Sequence, residues 1–325
     1  MTQTTALPIS VIVPSAGRID RLVKTLTSLR DQSAPVRQLV LVVADTPSQF
    51  NDVVETIFAG SDTQVRFQIA SEKGAAAQRN QAFALSTEPI IMFLDDDVDL
   101  DVDCVLELHR ALTTDPKAGG VTASITNQTY RKPRLLSRHV YSFLGFPFTG
   151  TLAGLCRGPA INFLPAPPST SSISCSNVEW LNTTCTLYRR ESLPNPLFPP
   201  IFTGYSLMED LALSLIVAKN WRLLVAHTAH IFHDSTPAAY KSNMKIRETM
   251  EVENRYFVMT QIMGSINWLS KFRFIAFEFF SCASLLYSRT SGQDILATIL
   301  VKLKATYCVI RSTCNPCHAR GHRGL

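Results

Sequence analysis

The first 125 residues alternate short apolar runs with helical patterns, and this alternation restricts the fold more than any other feature of the chain. The apolar runs occupy residues 9–13, 39–43, 65–69 and 90–94, and leucine or valine recurs at helical spacing between them. Such alternation predicts an α/β fold of βαβ units, with a mostly parallel sheet covered by helices on both faces. Since ligands of these sheets bind beyond the carboxyl ends of the strands, we expect functional residues directly after the apolar runs.

Three consecutive aspartates follow the fourth apolar run. Asp95, Asp96 and Asp97 come directly after residues 90–94, at the carboxyl end of a predicted strand. Clustered carboxylates suit Mg²⁺ or Mn²⁺, and such a cation would bridge them to a diphosphate and stabilise a leaving phosphate. A solvated acidic turn is the alternative, since the acidity continues as far as Asp103. The position at the end of a buried strand favours a site.

Two helix starts carry further candidates. Gly74 opens a small-residue helix that would offer backbone N–H groups to an anion, and Arg79 within it can pair with a phosphate bidentately. Glu209 and Asp210 begin a second helical pattern. Acids at a helix start often serve only as caps or dipole partners. After the turn-rich residues 202–206, however, a positioned carboxylate could take the proton from an acceptor hydroxyl.

Histidines and a cysteine-containing tail offer other metal ligands. His230 and His233 are the candidates among three closely spaced histidines, and His233 lies at the end of a strand. The tail has residues with the spacing of a zinc or haem site, namely Cys314, Cys317, His318 and His322. Haem attachment requires export, so zinc and a disordered basic tail are the alternatives.

Positive charge is concentrated in the last sixty residues. Residues 265–325 hold eight Lys and Arg and two acids, for a net charge of +6, whereas the rest of the chain carries −1. This asymmetry predicts contact with an anionic surface. Charged residues interrupt the Phe-rich segment that begins at Trp268, so we expect no transmembrane helix. Apolar residues recur at helical spacing over 296–310, which fits either a helix in a membrane interface or a cap on the core.

The start of the chain and its cysteines indicate a compartment. The first residues are polar and resemble no signal peptide, and the eight cysteines are scattered through a chain too large to need disulfides. We therefore expect a cytoplasmic protein with reduced thiols. Because its last sixty residues are basic, we expect it to be peripheral on the cytoplasmic face of a membrane. We expect no nucleic-acid partner. Glycosylation acceptor sequences at Asn127 and Asn182 would then go unused. The proline-rich residues 131–176 predict a long functional loop.

Taken in order, these segments resemble family 2 glycosyltransferases with a GT-A fold, which are inverting enzymes that use nucleotide sugars. The resemblance covers about residues 8–258. It rests on residues 9–14 with Arg18, on residues 41–45, 73–80, 93–97, 178–181, 188–191 and 202–210, and on His233 and Asn254-Arg255 further along the chain. One departure concerns the segment of residues 41–45, at the end of which relatives usually carry two adjacent aspartates followed by Gly-Ser. Here Ala44 replaces the first aspartate and Thr46-Pro47 replaces Gly-Ser.

The resemblance implies roles for particular residues. Donor-binding residues would be Pro14, Arg18, Asp45, Lys73, Gly74, Arg79, Asn80, Asp95 and Asp96. A divalent cation, Mg²⁺ or Mn²⁺, would be held by Asp95, Asp97 and His233. Asp210 would be the general base beside Glu209, and Trp180 and Tyr205 would contact the acceptor.

The implied activity is glycosyl transfer from a UDP-, GDP- or dTDP-linked sugar to a hydroxyl or lipid-linked glycan acceptor, as in cell-surface polysaccharide assembly. Residues 1–264 would form the catalytic domain, with a donor half over about 1–125 and an acceptor half over about 126–264, and residues 265–325 a helical extension. One alternative is a nucleotidyltransferase, but residues 14–18 are poor in the glycine that its loop requires. The other is a non-catalytic membrane-surface scaffold, against which Asp95, Asp97 and Asp210 together argue.

Overall fold

The computed structural model describes residues 6–44, 50–166, 174–234, 243–287 and 295–312. The strands are β1 (Leu7–Ser15), β2 (Val36–Val43), β3 (Gln64–Ile69), β4 (Ile90–Leu94), β5 (Val98–Leu100), β6 (Ala118–Ile125), β7 (Cys156–Arg157), β8 (Ile161–Asn162), β9 (Cys175–Val178), β10 (Cys185–Arg189) and β11 (Arg222–His233). The helices are α1 (Ile19–Arg30), α2 (Phe50–Ile57), α3 (Ala75–Leu85), α4 (Cys104–Thr114), α5 (Leu135–Phe143), α6 (Glu209–Val217), α7 (Met244–Phe257), α8 (Trp268–Tyr287) and α9 (Ile295–Ser312).

A large mixed sheet organises the fold. Its strand order is β3-β2-β1-β4-β10-β6-β11-β5, and β9 pairs with β11 at one side of this path. Strands β1 to β4 run parallel to one another, and β6 runs parallel to β11. The strands β10, β5 and β9 are antiparallel to their neighbours. The predicted α/β fold with a mostly parallel sheet is therefore confirmed.

Burial explains why the parallel part of the sheet forms. Every residue of β4 is buried, as are most of β1 and β2, and parallel strands covered on both faces require such continuous apolar sequences. Helix α1 buries Leu22, Leu26 and Leu29 on one face, which is the spacing of an amphipathic helix. Each such buried leucine contributes roughly 1.5–3 kcal/mol. The core lies in this sheet and in the helices that cover it.

The chain divides into two compact units. The sheet unit comprises Met1–Pro133, Thr149–Cys156 and Asn162–Ala239, and the helical unit comprises Arg134–Phe148, Arg157–Ile161 and Tyr240–Leu325. The helical unit thus combines α5 with the three helices α7, α8 and α9. The division of domains at residue 264 stays a prediction.

The region predicted as one long loop contains regular structure. Helix α5 and the paired strands β7 and β8 lie within residues 131–176, so the loop prediction was wrong for these segments. The reason is that α5 buries none of its residues: Leu135 and Leu136 are 75% and 79% exposed. A helix with outward-facing leucines does not show the pattern of a helix that packs on a core.

A cluster of buried charges joins the helices of the helical unit. Lys302 of α9 is 3% exposed and its Nζ lies 3.4 Å from Glu248 Oε2, 3.5 Å from Glu278 Oε2 and 3.8 Å from Glu251 Oε2. Arg255 of α7 lies 2.7 Å from Glu251 and 3.3 Å from Glu278. Burial alone would lower the pKa of Lys302, but the three glutamates raise it, so the ammonium stays charged.

This cluster shows that the prediction of an anionic contact for the basic residues of 265–325 was wrong for one of them. Lys302 belongs to the basic residues predicted to face an anionic surface, yet it is buried among carboxylates and cannot do so. Helix α9 is therefore packed against α7 and α8 through ion pairs, as a capping helix would be. None of the described helices combines the length and the apolar character needed to cross a bilayer.

We expect Lys302→Met to lower the free energy of unfolding of the helical unit by about 3–5 kcal/mol, because it leaves buried carboxylates without their cation. Lys304→Met is the matched control on the same helix, because Lys304 is exposed, and it should change stability by less than about 0.5 kcal/mol. Urea unfolding followed by circular dichroism measures both. Equal stability of the two variants would contradict a structural role for the cluster.

Candidate active site

The loops after β1 and β4 lie side by side, because these two strands are parallel neighbours with Ile12 opposite Phe93. Ser15 at the end of β1 donates a hydrogen bond from its Oγ to Asp96 Oδ2 at 2.6 Å. Arg18 binds both Asp96 and Asp97, the latter at 3.1 Å. Asp96 is thus buried and held by groups of the protein itself. Burial raises its pKa, although Ser15 and Arg18 oppose this effect.

Asp95, Asp97 and His233 form a group that could hold a metal ion. One ligand atom of each lies within 4.8 Å of the others. His233 reaches the group because β11 pairs with β5, which places it opposite Val98. Its Nε2 lies 3.2 Å from Asp97 Oδ1. Burial would raise the pKa of Asp97, but His233 and Arg18 outweigh it, and the pKa lies below its ordinary range. An ionised carboxylate beside an imidazole fits a divalent cation.

Two polar residues after β6 fix the position of His233. Asn127 exchanges two hydrogen bonds with the main chain of His233, at 2.8 and 3.1 Å. Gln128 Nε2 lies 3.3 Å from His233 Nδ1. Such partners orient a metal-binding imidazole and favour one tautomer. Neither residue was predicted to belong to the site, although both lie shortly after the carboxyl end of β6, where ligand-contacting residues are expected.

Arg79 connects the metal group to the start of α6. Its guanidinium donates from Nη2 to Asp95 Oδ1 at 2.6 Å and from Nη1 to Glu209 Oε1 at 2.7 Å. The side chain is 3% exposed. Burial would lower its pKa, but Asp95 and Glu209 raise it, so the cation persists. Both terminal nitrogens therefore contact carboxylates here, and the predicted pairing with a donor phosphate stays a prediction.

A close contact between two glycines brings α3 to the turn before α6. Gly74 has a φ of 142°, and a Cβ at this position would lie 3.0 Å from Gly204 N and 3.1 Å from Gly204 O. The first amides of α3 also bind this turn: Ala75 N donates to Gly204 O at 3.3 Å and Ala76 N to Ser206 Oγ at 3.4 Å. Gly74 is thus required for close packing. The predicted anion site at this helix start stays a prediction.

The second residue of α6, Asp210, is held in a defined orientation. Its Oδ1 accepts a hydrogen bond from Leu211 N at 2.7 Å, and Ser214 Oγ lies 2.8 Å from the carbonyl oxygens of both Asp210 and Leu181, to either of which it can donate. Burial raises the pKa of Asp210 to about 6, against the opposing charge of Arg79. Burial also raises the pKa of Glu209 above its ordinary value. Met208, directly before this pair, has a left-handed φ of 69°, which is a strained conformation typical of functional sites.

Several predicted residues have a clear structural environment, while their roles in binding stay predictions. Asn80 exchanges hydrogen bonds with the main chain of Phe198. Trp180 is buried, and its indole donates to Phe163 O at 2.9 Å. Pro14 is buried in β1, whereas Lys73 and Tyr205 are exposed.

Some candidates lie elsewhere. His230 is not part of the metal group, since its Nδ1 lies 3.7 Å from Asp101 on the exposed surface, and His227 binds Ser176 at 2.8 Å. Asp45 and the tail residues Cys314, Cys317, His318 and His322 lie outside the described residues. Arg21, which the sequence analysis did not single out, lies 3.8 Å from Asp97.

Comparisons with known proteins bear on the family and the fold of the chain. Residues 10–166 match the family model described as Glycosyl transferase family 2. Mannosyltransferase PcManGT from Pyrobaculum calidifontis, solved with GDP-Man and Mn²⁺, is 14% identical with a TM-score of 0.53; the match covers 96% of this chain and 82% of that one. GalNAc-T7, solved with UDP, GalNAc and Mn²⁺, is 10% identical with a TM-score of 0.56; the match covers 96% of this chain and 58% of that one.

At these identities the two structures establish the fold alone, and a search of curated proteins finds no match. The family model covers the loops after β1 and β4. The loop after β4 contains the two aspartates of the candidate metal site. The chain has the GT-A fold, and its residues 10–166, just under half of the sequence, match glycosyltransferase family 2, which identifies the chain as a glycosyltransferase.

Proposed function

We propose that the chain transfers a sugar from a nucleoside diphosphate to a hydroxyl acceptor with inversion at the anomeric carbon. The observation that carries this proposal is the bridge formed by Arg79 between Asp95 of the metal group and Glu209 beside Asp210. Leaving-group stabilisation and proton removal require a cation site and a basic carboxylate close to one another. Arg79 links Asp95, suited to the first task, to Glu209, the chain neighbour of Asp210, which is suited to the second.

Asp95, Asp97 and His233 would hold Mg²⁺ or Mn²⁺ for the donor. The bound cation supplies positive charge to the diphosphate, which makes it a better leaving group. The protein prepares the site in two ways. His233 and Arg18 lower the pKa of Asp97 against the effect of burial, so its carboxylate is ionised before a ligand arrives. Asn127 and Gln128 hold the imidazole of His233 in place.

Asp210 would act as the general base. The acceptor hydroxyl gives its proton to the Asp210 carboxylate while the oxygen forms a bond to the anomeric carbon. The bond from that carbon to the diphosphate oxygen breaks, and its electron pair leaves with the nucleoside diphosphate. A pKa raised to about 6 makes the carboxylate a stronger base than an ordinary aspartate, yet leaves it mostly deprotonated at neutral pH.

For the substrates, we propose a UDP-, GDP- or dTDP-linked donor and a lipid-linked glycan acceptor, used at the cytoplasmic face of a membrane in cell-surface polysaccharide assembly. The two similar structures were solved with GDP-Man or UDP together with Mn²⁺, which supports a nucleotide-sugar donor and this ion. The basic and apolar character of residues 265–325 supports a lipid acceptor.

We expect Asp97→Asn to weaken Mn²⁺ binding at least about tenfold, because it removes an ionised oxygen ligand; even partners one shell further out typically affect metal affinity by 10–100-fold. Asp99→Asn is the matched control, since Asp99 lies two residues away but is exposed and outside the metal group. Titration of each protein with Mn²⁺, followed by electron paramagnetic resonance, measures the affinity. If both variants bind Mn²⁺ like the wild type, the metal assignment is wrong.

We expect Asp210→Asn to bind Mn²⁺ normally but to lose about 10²–10⁴-fold in turnover, because the amide keeps the shape of the side chain without its basicity. A screen of nucleotide sugars first identifies the donor, and single-turnover kinetics then compare the proteins. Normal Mn²⁺ binding shows that the variant is folded. Turnover near the wild-type rate would reduce Asp210 to a residue of the helix start.

A further inference from the structure

One side of helix α8 exposes large apolar residues along its whole length. Trp268, Phe272, Phe279 and Leu286 are 77%, 52%, 57% and 68% exposed. At about 100° per residue these four positions fall within roughly 40° of one another around the helix axis, and the stripe is about 27 Å long. No charged residue of α8 falls in this sector. A helix that only capped a core would turn such a stripe inward.

Helix α5 of the same unit extends this apolar surface. The ring of Phe143 contacts the ring of Phe272, with their centroids 6.0 Å apart. Leu135 and Leu136 are exposed on α5 as well. We call the exposed apolar side chains of α5 and α8 the docking face, namely Leu135, Leu136, Phe143, Trp268, Phe272, Phe279 and Leu286.

Helix α9 has a similar stripe. Leu296, Leu300 and Tyr307 are each at least 59% exposed and fall within roughly 40° around the helix. The basic residues Lys304 and Arg311 lie beside this stripe and are also exposed. Long basic side chains at the edge of an apolar stripe are typical of helices that lie in a membrane interface.

The charges of these helices are of one sign. Within α5, α8 and α9 the single acid is Glu278, which is 1% exposed and paired with Arg255 and Lys302. The remaining charged residues of the three helices are all basic: Arg138, Lys271, Arg273, Lys304 and Arg311, besides the buried Lys302. The guanidinium of Arg273 lies 5.9 Å from the ring centroid of Phe143, directly at the docking face.

We propose that the helical unit binds peripherally to an anionic lipid bilayer through the docking face. The apolar stripe would insert among the acyl chains at the interface while the basic residues contact lipid headgroups. A second copy of the chain fits less well, because pairing two such faces would bring basic residues against basic residues. The proposal is independent of the transfer reaction, because it uses no residue of the candidate active site.

Co-sedimentation of the full chain with vesicles tests the proposal. Vesicles contain either phosphatidylcholine alone or phosphatidylcholine with phosphatidylglycerol, at low and at high salt. We expect binding to the anionic vesicles that weakens with salt but does not vanish, since apolar insertion does not depend on salt. Failure to bind anionic vesicles at low salt overturns the proposal.

Paired variants assign the surface. Trp268→Ser with Phe272→Ser should reduce binding to anionic vesicles at least about tenfold. The matched control is Ile69→Ser with Val102→Ser, which removes two side chains that are 58% and 60% exposed in the sheet unit, and it should bind like the wild type. Unchanged thermal unfolding and Mn²⁺ binding show that all variants are folded. Equal vesicle binding by both pairs overturns the assignment. If the first pair instead dissociates a dimer that ignores vesicles, the docking face is an interface between copies and the lipid proposal is wrong.

Discussion

The buried guanidinium of Arg79 is the interaction on which the rest of the active site depends. It lies between Asp95 of the metal group and Glu209 at the start of α6, with hydrogen bonds of 2.6 and 2.7 Å. Without this cation several carboxylates would face one another in a poorly solvated site, and some of them would take up protons. Arg79 therefore allows the proposed cation site and the proposed general base to exist side by side. The contact between Gly74 and Gly204 supports the bridge, because it fixes α3 against the turn that leads into α6.

Buried ion pairs also hold the helical unit together. Its interior contains Lys302 and Arg255 among three glutamates, an arrangement that stabilises only when every partner is present. Its exterior exposes aromatic and aliphatic side chains that a soluble domain would usually bury. A packed cap and an interfacial helix are alternatives when only the sequence is considered. The packed sides of α8 and α9 contain the buried ion pairs, and their other sides expose the apolar stripes on which the proposed membrane contact rests.

Elements with a strong local signal could be predicted from the sequence. The fully apolar β4 has the bounds that its pattern predicted, the small-residue helix α3 begins directly after Gly74, and Asp95 and Asp97 follow β4 as expected. What depends on distant parts of the chain could not be predicted. No local pattern shows that β10 inserts antiparallel between β4 and β6. Nor does any local pattern show that Arg79 forms ion pairs with Asp95 and Glu209. Lys302 was misinterpreted because a lysine that pairs with acids of other helices looks, in sequence, like any surface lysine.

The claim that Arg79 couples the cation site to Glu209 can be tested with a double-mutant cycle on Mn²⁺ affinity. Glu209 is not a member of the metal group, yet Glu209→Gln should weaken Mn²⁺ binding, because Arg79 loses one carboxylate and competes more strongly for Asp95. In an Arg79→Met background the same substitution should have a much smaller effect. Mn²⁺ titrations of the four proteins give the coupling directly. Equal effects of Glu209→Gln in both backgrounds, or no effect in either, would contradict the account.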